Sequence, residues 1–142
     1  MKNKILVLMV LFLPSLFIGC GGDLKYKVVP FAGTITYQGQ PFGESVLIVF
    51  TPTEGRPSSA IADKDGKFKA EYTERLAGVQ VGKHNVTISP YGTSSGFQSP
   101  GAVSASSSSE KAQEAFAKYA FGGPGYDMEV DKKSNNYQLD LP

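Results

Sequence analysis

Apolar and polar positions follow two different rhythms along this chain. From Ile5 to Ile18 the residues are almost uninterruptedly apolar, broken only by Pro14 and Ser15. From Phe31 the period becomes two. Phe31, Gly33, Ile35 and Tyr37 fall on one face and Ala32, Thr34, Thr36 and Gln38 on the other, the pattern of a half-buried strand. Gln38-Gly39-Gln40-Pro41 is turn chemistry. Val46 to Phe50 is a continuous apolar run, short enough for a strand buried on both faces, and Pro52 ends it. Ser59 to Ala62 then leads through Asp63-Lys64-Asp65-Gly66 to Phe68, Ala70 and Tyr72, which alternate with Lys67, Lys69 and Glu71. Asp-Gly between two such runs predicts a hairpin.

Further on, Val79 and Val81 precede Gly82-Lys83, after which His84, Val86 and Ile88 alternate with Asn85, Thr87 and Ser89. Tyr126 to Val130 and Tyr137 to Leu141 supply two more short strands. About seven strands separated by turns predict an all-β, antiparallel sandwich. Two stretches fall outside the rhythm. Thr93 to Ser109 is rich in Ser and Gly and lacks the apolar surface to offset its ordering entropy, which predicts a flexible loop. Behind it, Ala112, Ala115, Phe116 and Tyr119 recur at helical spacing, with Ser107 and Glu110 set as a capping box, and Gly122-Gly123-Pro124-Gly125 stops whatever forms there.

The N-terminal run has its own logic. Lys2 and Lys4 precede the apolar stretch and Gly19 follows it, the order of a secretory signal peptide. Fourteen apolar-run positions fall short of the roughly twenty that a spanning helix needs. Cys20 comes next and is the chain's one cysteine. Leu16-Phe17-Ile18-Gly19-Cys20 resembles a bacterial lipobox, with Phe17 bulkier than usual; the resemblance implies lipidation of Cys20 as the new N-terminus. Stable anchoring takes more than one acyl chain, and such a cysteine carries two or three. A lone cysteine in an exported chain cannot form an internal disulfide, so lipidation supplies the explanation it needs. Gly21 and Gly22 follow in place of an Asp, which by the sorting rule of Gram-negative cells favours the outer over the inner membrane. Asp23 to Pro30 reads as a tether, and the chain would face the periplasm or the exterior.

Beyond residue 19 the formal charge is twelve basic against thirteen acidic residues, a balance with no footprint for nucleic acid and no basic cluster for anionic lipid. The length suits a single core. Sixteen glycines and nine prolines fit strands and turns, and the missing tryptophan excludes the Cys-Trp-Cys pattern of true immunoglobulin domains.

Candidate chemistry is sparse. Asp63, Asp65 and Gly66 suggest calcium, yet an EF-hand loop would need acidic residues where Ile61 and Tyr72 stand. The turn reading needs nothing more. His84, the single histidine, shares parity with Val86 and Ile88 and is expected to be a packed or hydrogen-bonded core residue. General acid-base or nucleophilic roles would need a partner beside it. One histidine and one lipidated cysteine fall short of a zinc site. Arg56, Arg75, Lys67 and Lys69 could form a binding patch, but lysines on a strand's solvent face are the default and discourage edge pairing. Seven tyrosines, from Tyr26 to Tyr137, could stack on sugars, although half-buried sandwich positions account for most. No catalytic, cofactor-binding or metal residue is expected.

The strand order carries a resemblance. Gly33 to Pro41, Val46 to Pro52, Ala60 to Phe68 and Gly82 to Ile88 resemble the carboxypeptidase regulatory-like, transthyretin-like domains, with their "G-x-P" turn, "D-x-x-G-x-F" hairpin and "G-x-Y-x-V-x-I" strand. Small lipoproteins of this type with a "GCGG" junction are common in planctomycete-like bacteria. The resemblance implies a Greek-key sandwich over residues 31–142, and its motifs speak to fold more than to function. Phe116-Ala117-Lys118-Tyr119 also resembles the family's "P-x-K-Y", which implies an extended run where the periodicity predicts a helix. His84 stands where the family has tyrosine, and the Ser-rich insert is a second departure. The 5-hydroxyisourate hydrolases, enzymes of transthyretin-like fold, look different: several histidines and a C-terminal Tyr-Arg-Gly-Ser are absent from this sequence. The expectation is a membrane-anchored, non-enzymatic accessory domain whose partner is an envelope protein or glycan, with a small-ligand or carbohydrate-binding module as the alternative.

Overall fold

The computed structural model describes residues 25–92 and 109–142, so Cys20, the signal-like segment and nearly all of the Ser-rich stretch lie outside the described residues. Among the described residues, eleven strands and one helix form a β-sandwich. In chain order they are β1 (Val28–Val29), β2 (Phe31–Tyr37), β3 (Val46–Pro52), β4 (Ser58–Ala62), β5 (Lys67–Lys69), β6 (Glu71–Thr73), β7 (Leu76–Ala77), β8 (Val79–Gln80), β9 (Gly82–Pro90), α1 (Glu110–Tyr119), β10 (Tyr126–Val130) and β11 (Ser134–Leu141). One sheet has the order β10-β9-β3-β4-β6-β7, the other β11-β2-β5, and β1 and β8 form a separate ribbon. Three of the strands are only two residues long, and β5 and β6 are one run interrupted at Ala70. Eight strands of three residues or more remain, with β5 and β6 in different sheets, against about seven expected.

The period-two segments fold as their patterns predict. Along β2 every second residue, from Phe31 to Tyr37, is buried. In β3, Val46, Ile48 and Phe50 are buried and Leu47 and Val49 half-buried, so this strand covers one face fully and the other in part. The sheets meet at three rings. Phe31 of β2 packs edge-on against Phe50 of β3, with centroids 5.9 Å apart. Phe68 of β5 closes the triangle at 6.3 and 6.0 Å. Such aromatic pairs add to the free energy of burying their area.

The Asp63–Gly66 turn forms, and the hairpin around it is interrupted and then resumed: Asp63 N donates to the Lys67 carbonyl at 2.9 Å and β4 pairs with β6 at Ser59 and Glu71, while β5 between them pairs elsewhere. Asp63 Oδ1 accepts from the amides of Asp65 and Lys67 at 3.0 and 2.9 Å, closing the turn locally. The chain then leaves its sheet: β4 pairs with β3, while β5 pairs with β2 in the other layer. Gly66 makes this crossing. Its φ is +82°, its carbonyl accepts from Ile35 N at 2.8 Å, and a Cβ there would strike the Ile35 carbonyl. Fully buried Ala70 marks the return, after which β6 rejoins β4.

Three further features differ from expectation. Val28 and Val29, within the expected tether, pair with Gln80 and Val79, and Val29 joins the core. The sandwich therefore begins closer to Cys20. The sandwich is also not wholly antiparallel, because β11 runs parallel to β2 with a bulge between Ser134 and Tyr137. Asp140 secures the far end of this pairing: its Oδ1 accepts from Gly39 N at 2.8 Å and Thr36 Oγ1 at 2.7 Å, which holds its carboxyl below the usual range. Lastly, residues 110–119 are helical, as the periodicity predicts and against the extended alternative. The cap is Ser109 rather than Ser107; its Oγ accepts from Ala112 N at 3.2 Å. Ala112, Ala115 and Tyr119 are buried. Stacking of Phe116 on Phe42 (5.6 Å) and the edge contact of Tyr119 with Tyr37 (6.4 Å) lay the helix over one end of the core.

The parallel pairing gives a direct test. A Cβ on Gly33 would collide with the Tyr137 backbone, so Gly33→Ala is expected to lower the urea unfolding free energy by about 3 kcal/mol, the cost of overpacking a site that cannot yield. An unchanged midpoint would mean that β11 does not approach β2 at this register.

Candidate functional site

Strands β3, β9 and β10 come together at one end of the larger sheet. Thr51, Asn85 and Asp127 stand opposite one another in a single row, and Pro52, His84 and Met128 form the next. Lys83 and Glu129 make a third row, beside which Thr53 N donates to the Lys83 carbonyl at 3.3 Å. Alternation along each strand places the first and third rows on one face and the His84 row on the other. These residues border an open groove of about 580 Å³.

The outer face of the groove is polar and carries both signs of charge. Asn85 Nδ2 donates to Asp127 Oδ1 and to the Pro124 carbonyl, both at 2.9 Å, which ties the loop before β10 to the groove wall. Two threonine hydroxyls, an ammonium and two carboxylates therefore surround the space. Such a set can donate to and accept from a hydroxylated ligand, and the volume lies within the usual range of ligand clefts.

His84 is 3% exposed, as its parity predicts. Its Nδ1 lies 2.9 Å from the Gly82 carbonyl. A carbonyl only accepts, so Nδ1 carries the proton and Nε2 is left as a bare acceptor. Nε2 is buried with no hydrogen-bond partner among the described residues. Burial pushes the imidazole below its ordinary value of 6.5, outweighing the Gly82 carbonyl, which favours the charged form.

A smaller cleft of about 170 Å³ lies between the turn after β2 and the start of α1, bordered by Tyr37, Gln40, Phe42 and Ser109 to Ala112. Lys111 Nζ donates to Gln40 Oε1 across it at 3.3 Å. Burial, with the Glu114 carboxylate adding to it, raises the Tyr37 phenol above its ordinary value.

The other residues singled out in the sequence are dispersed. Lys67 and Lys69 lie exposed on β5, the edge of the smaller sheet, where charge guards against strand addition. Arg56 sits over the Tyr72 ring at 5.8 Å and Arg75 in the turn from β6 to β7, both in or against the larger sheet, so they are set apart from the two lysines on β5. Tyr37, Tyr72 and Tyr119 are buried, Tyr26, Tyr126 and Tyr137 half-buried, and Tyr91 is exposed. Among the described residues no three His, Cys, Asp or Glu side chains gather as a metal site would require, and no helix is long and apolar enough to cross a membrane.

The groove itself was missed by sequence reasoning. Lys83 and Asn85, like Asp127 and Glu129, show the correct alternation, but nothing local indicates that these two pairs face each other. No family model matches the chain, and neither does any curated protein or any solved structure.

The lowered His84 basicity sets a pH dependence. The folded state favours the neutral ring, so below pH 6.5 the unfolded chain takes up a proton that the folded one resists. Stability is therefore full above 6.5 and declines as pH falls through and below it. Because the chain has one histidine, its imidazole NMR signal needs no assignment. It is expected to titrate below 6.5, and a midpoint at or above 6.5 would refute the account.

Proposed function

We propose that this chain is a membrane-anchored bacterial lipoprotein, acylated at Cys20, whose sandwich serves as a non-catalytic accessory or interaction domain of the cell envelope. The observation that carries this reading is the junction between leader and fold. An apolar run, Gly19 and the sole cysteine stand directly ahead of a sandwich whose first strand starts at Val28. Eight residues of fully extended chain reach at most about 26–29 Å, so an acylated Cys20 would hold the domain close to the bilayer. The likeness of the strand motifs to carboxypeptidase regulatory-like domains supports the same reading, as does the absence of an Asp after Cys20 for an outer-membrane address. The partner is an envelope protein or a glycan, met on a sandwich face or on the Ser-rich segment.

Mass spectrometry of the native N-terminus decides the anchor. A mature chain starting at an acylated Cys20 is expected, and Cys20→Ser should abolish both the acyl mass and the membrane association. An unacylated wild-type chain would overturn the proposal.

One observation favours a second reading, a carbohydrate-binding module: the groove with its hydroxyl, ammonium and carboxylate groups at ligand-cleft volume. In titration against soluble envelope oligosaccharides, Asp127→Ala is expected to weaken any binding at least about tenfold, the loss of a charge-assisted hydrogen bond. Binding that survives Asp127→Ala and Lys83→Ala unchanged would locate the ligand elsewhere.

A further inference from the structure

The strand directions give the sandwich two chemically different ends. At one end lie the first described residues, the loop after β3, the start of β9 and the turn from β10 to β11. Val81 N donates to the Lys27 carbonyl, Thr53 N to the Lys83 carbonyl and Ser134 N to the Pro30 carbonyl, at 2.8, 3.3 and 3.0 Å. Six exposed basic residues gather there: Lys25, Lys27, Arg56, Lys83, Lys132 and Lys133. Glu54, Glu129 and Asp131 are the exposed acidic residues among them, Asp127 stands next to Lys83 and Glu129 along the groove, and Glu74 and Arg75 in the neighbouring β6–β7 turn offset each other.

The opposite end has the reverse balance. There Val46 pairs with both Ala62 and Pro90, and Leu141 with Tyr37. The turns and the helix at that end bring Glu44, Asp63, Asp65, Glu110, Glu114 and Asp140 against Lys64, Lys111 and Lys118. A chain with almost no net charge thus folds into a molecule with a basic and an acidic pole. The sequence shows no basic cluster because the six cations come from four separate stretches between residues 25 and 133, brought together by the up-and-down strands.

The basic pole is also the end at which the chain arrives from Cys20. Lys25 is five residues from the proposed acylation site, a span of at most about 18 Å. We propose that the basic pole seats on the anionic headgroups of the membrane that carries the anchor, so that the sandwich stands with its acidic pole outward. Each lysine or arginine near an anionic leaflet contributes about 1 kcal/mol, an attraction that fades within a Debye length. A short tether confines the pole to that layer. The inference rests on the lipoprotein reading for its biological setting, while the surface chemistry can be tested without the acyl chain.

The test is co-sedimentation of the processed chain, residues 20–142 with Cys20→Ser, with lipid vesicles. Partition onto phosphatidylcholine vesicles containing about one-third phosphatidylglycerol is expected to exceed that onto pure phosphatidylcholine by about tenfold or more, and to vanish in high salt. Reversing the basic pole with Lys27→Glu and Lys133→Glu should reduce it to the neutral-vesicle level, whereas Lys64→Glu with Lys111→Glu at the other pole should not weaken it. All four lysines are exposed, so circular dichroism should show each variant folded as the parent. Equal partition onto both vesicle types, no partition onto either, or equal losses from the two reversals would each overturn the proposal. None of these results bears on whether native Cys20 is acylated, which the N-terminal mass decides separately.

Discussion

Phe31, Phe50 and Phe68 hold the two layers of this sandwich together, and most of the remaining architecture follows from keeping them in contact. Each comes from a different strand; Phe31 and Phe68 lie in the smaller sheet and Phe50 in the larger. A three-stranded sheet has little apolar face of its own, so its stability rests on burial against the partner sheet. Bringing Phe68 to the triangle forces the chain to leave β4's sheet at Gly66 and return at Ala70. Gly66 has no Cβ to strike β2, and Ala70 is small enough for the crossing between layers. The helix performs a similar service at one end, where Phe116 and Tyr119 cover Phe42 and Tyr37.

What was legible in the sequence is what depends on local alternation. Burial of Phe31, Ile35 and Tyr37, the placement of Tyr126–Val130 and the inward His84 all follow from period two, because a strand's neighbours along the chain determine which way each side chain points. The helix was legible in the spacing of Ala112, Ala115 and Tyr119, but not its cap, since two serines two residues apart offer the same chemistry and only Ser109 meets the Ala112 amide. Partner choice was the hard part. Asp-Gly correctly marked a turn whose second arm returns to β4 at Glu71, yet the turn does not decide that the intervening β5 pairs with β2, more than thirty residues away. The parallel direction of β11 and the facing of Asn85 and Asp127 are non-local in the same sense. So is the charge asymmetry, which no window along the chain contains.

The groove and the basic pole share Lys83 and Glu129, so the two surfaces are neighbours rather than alternatives. With a membrane seated at the basic pole, a ligand in the groove would lie near the bilayer surface, with the Thr51, Asn85 and Asp127 row farther from it. His84 stands behind that wall, its one hydrogen bond spent on the Gly82 carbonyl at the start of β9.

The parallel alignment of β2 and β11 also has a mechanical meaning. A load applied through an anchored N-terminus reaches β1 first, whose two-residue ribbon with β8 has few bonds to resist it. Beyond Pro30 the pull runs along β2, which is flanked on both sides by β11 and β5. Drawing a middle strand lengthwise strains all of its cross-strand bonds together instead of one after another. A domain anchored in this way would yield a short slack segment readily and then hold as a shear clamp, with the Asp140 contacts to Thr36 and Gly39 at its far end.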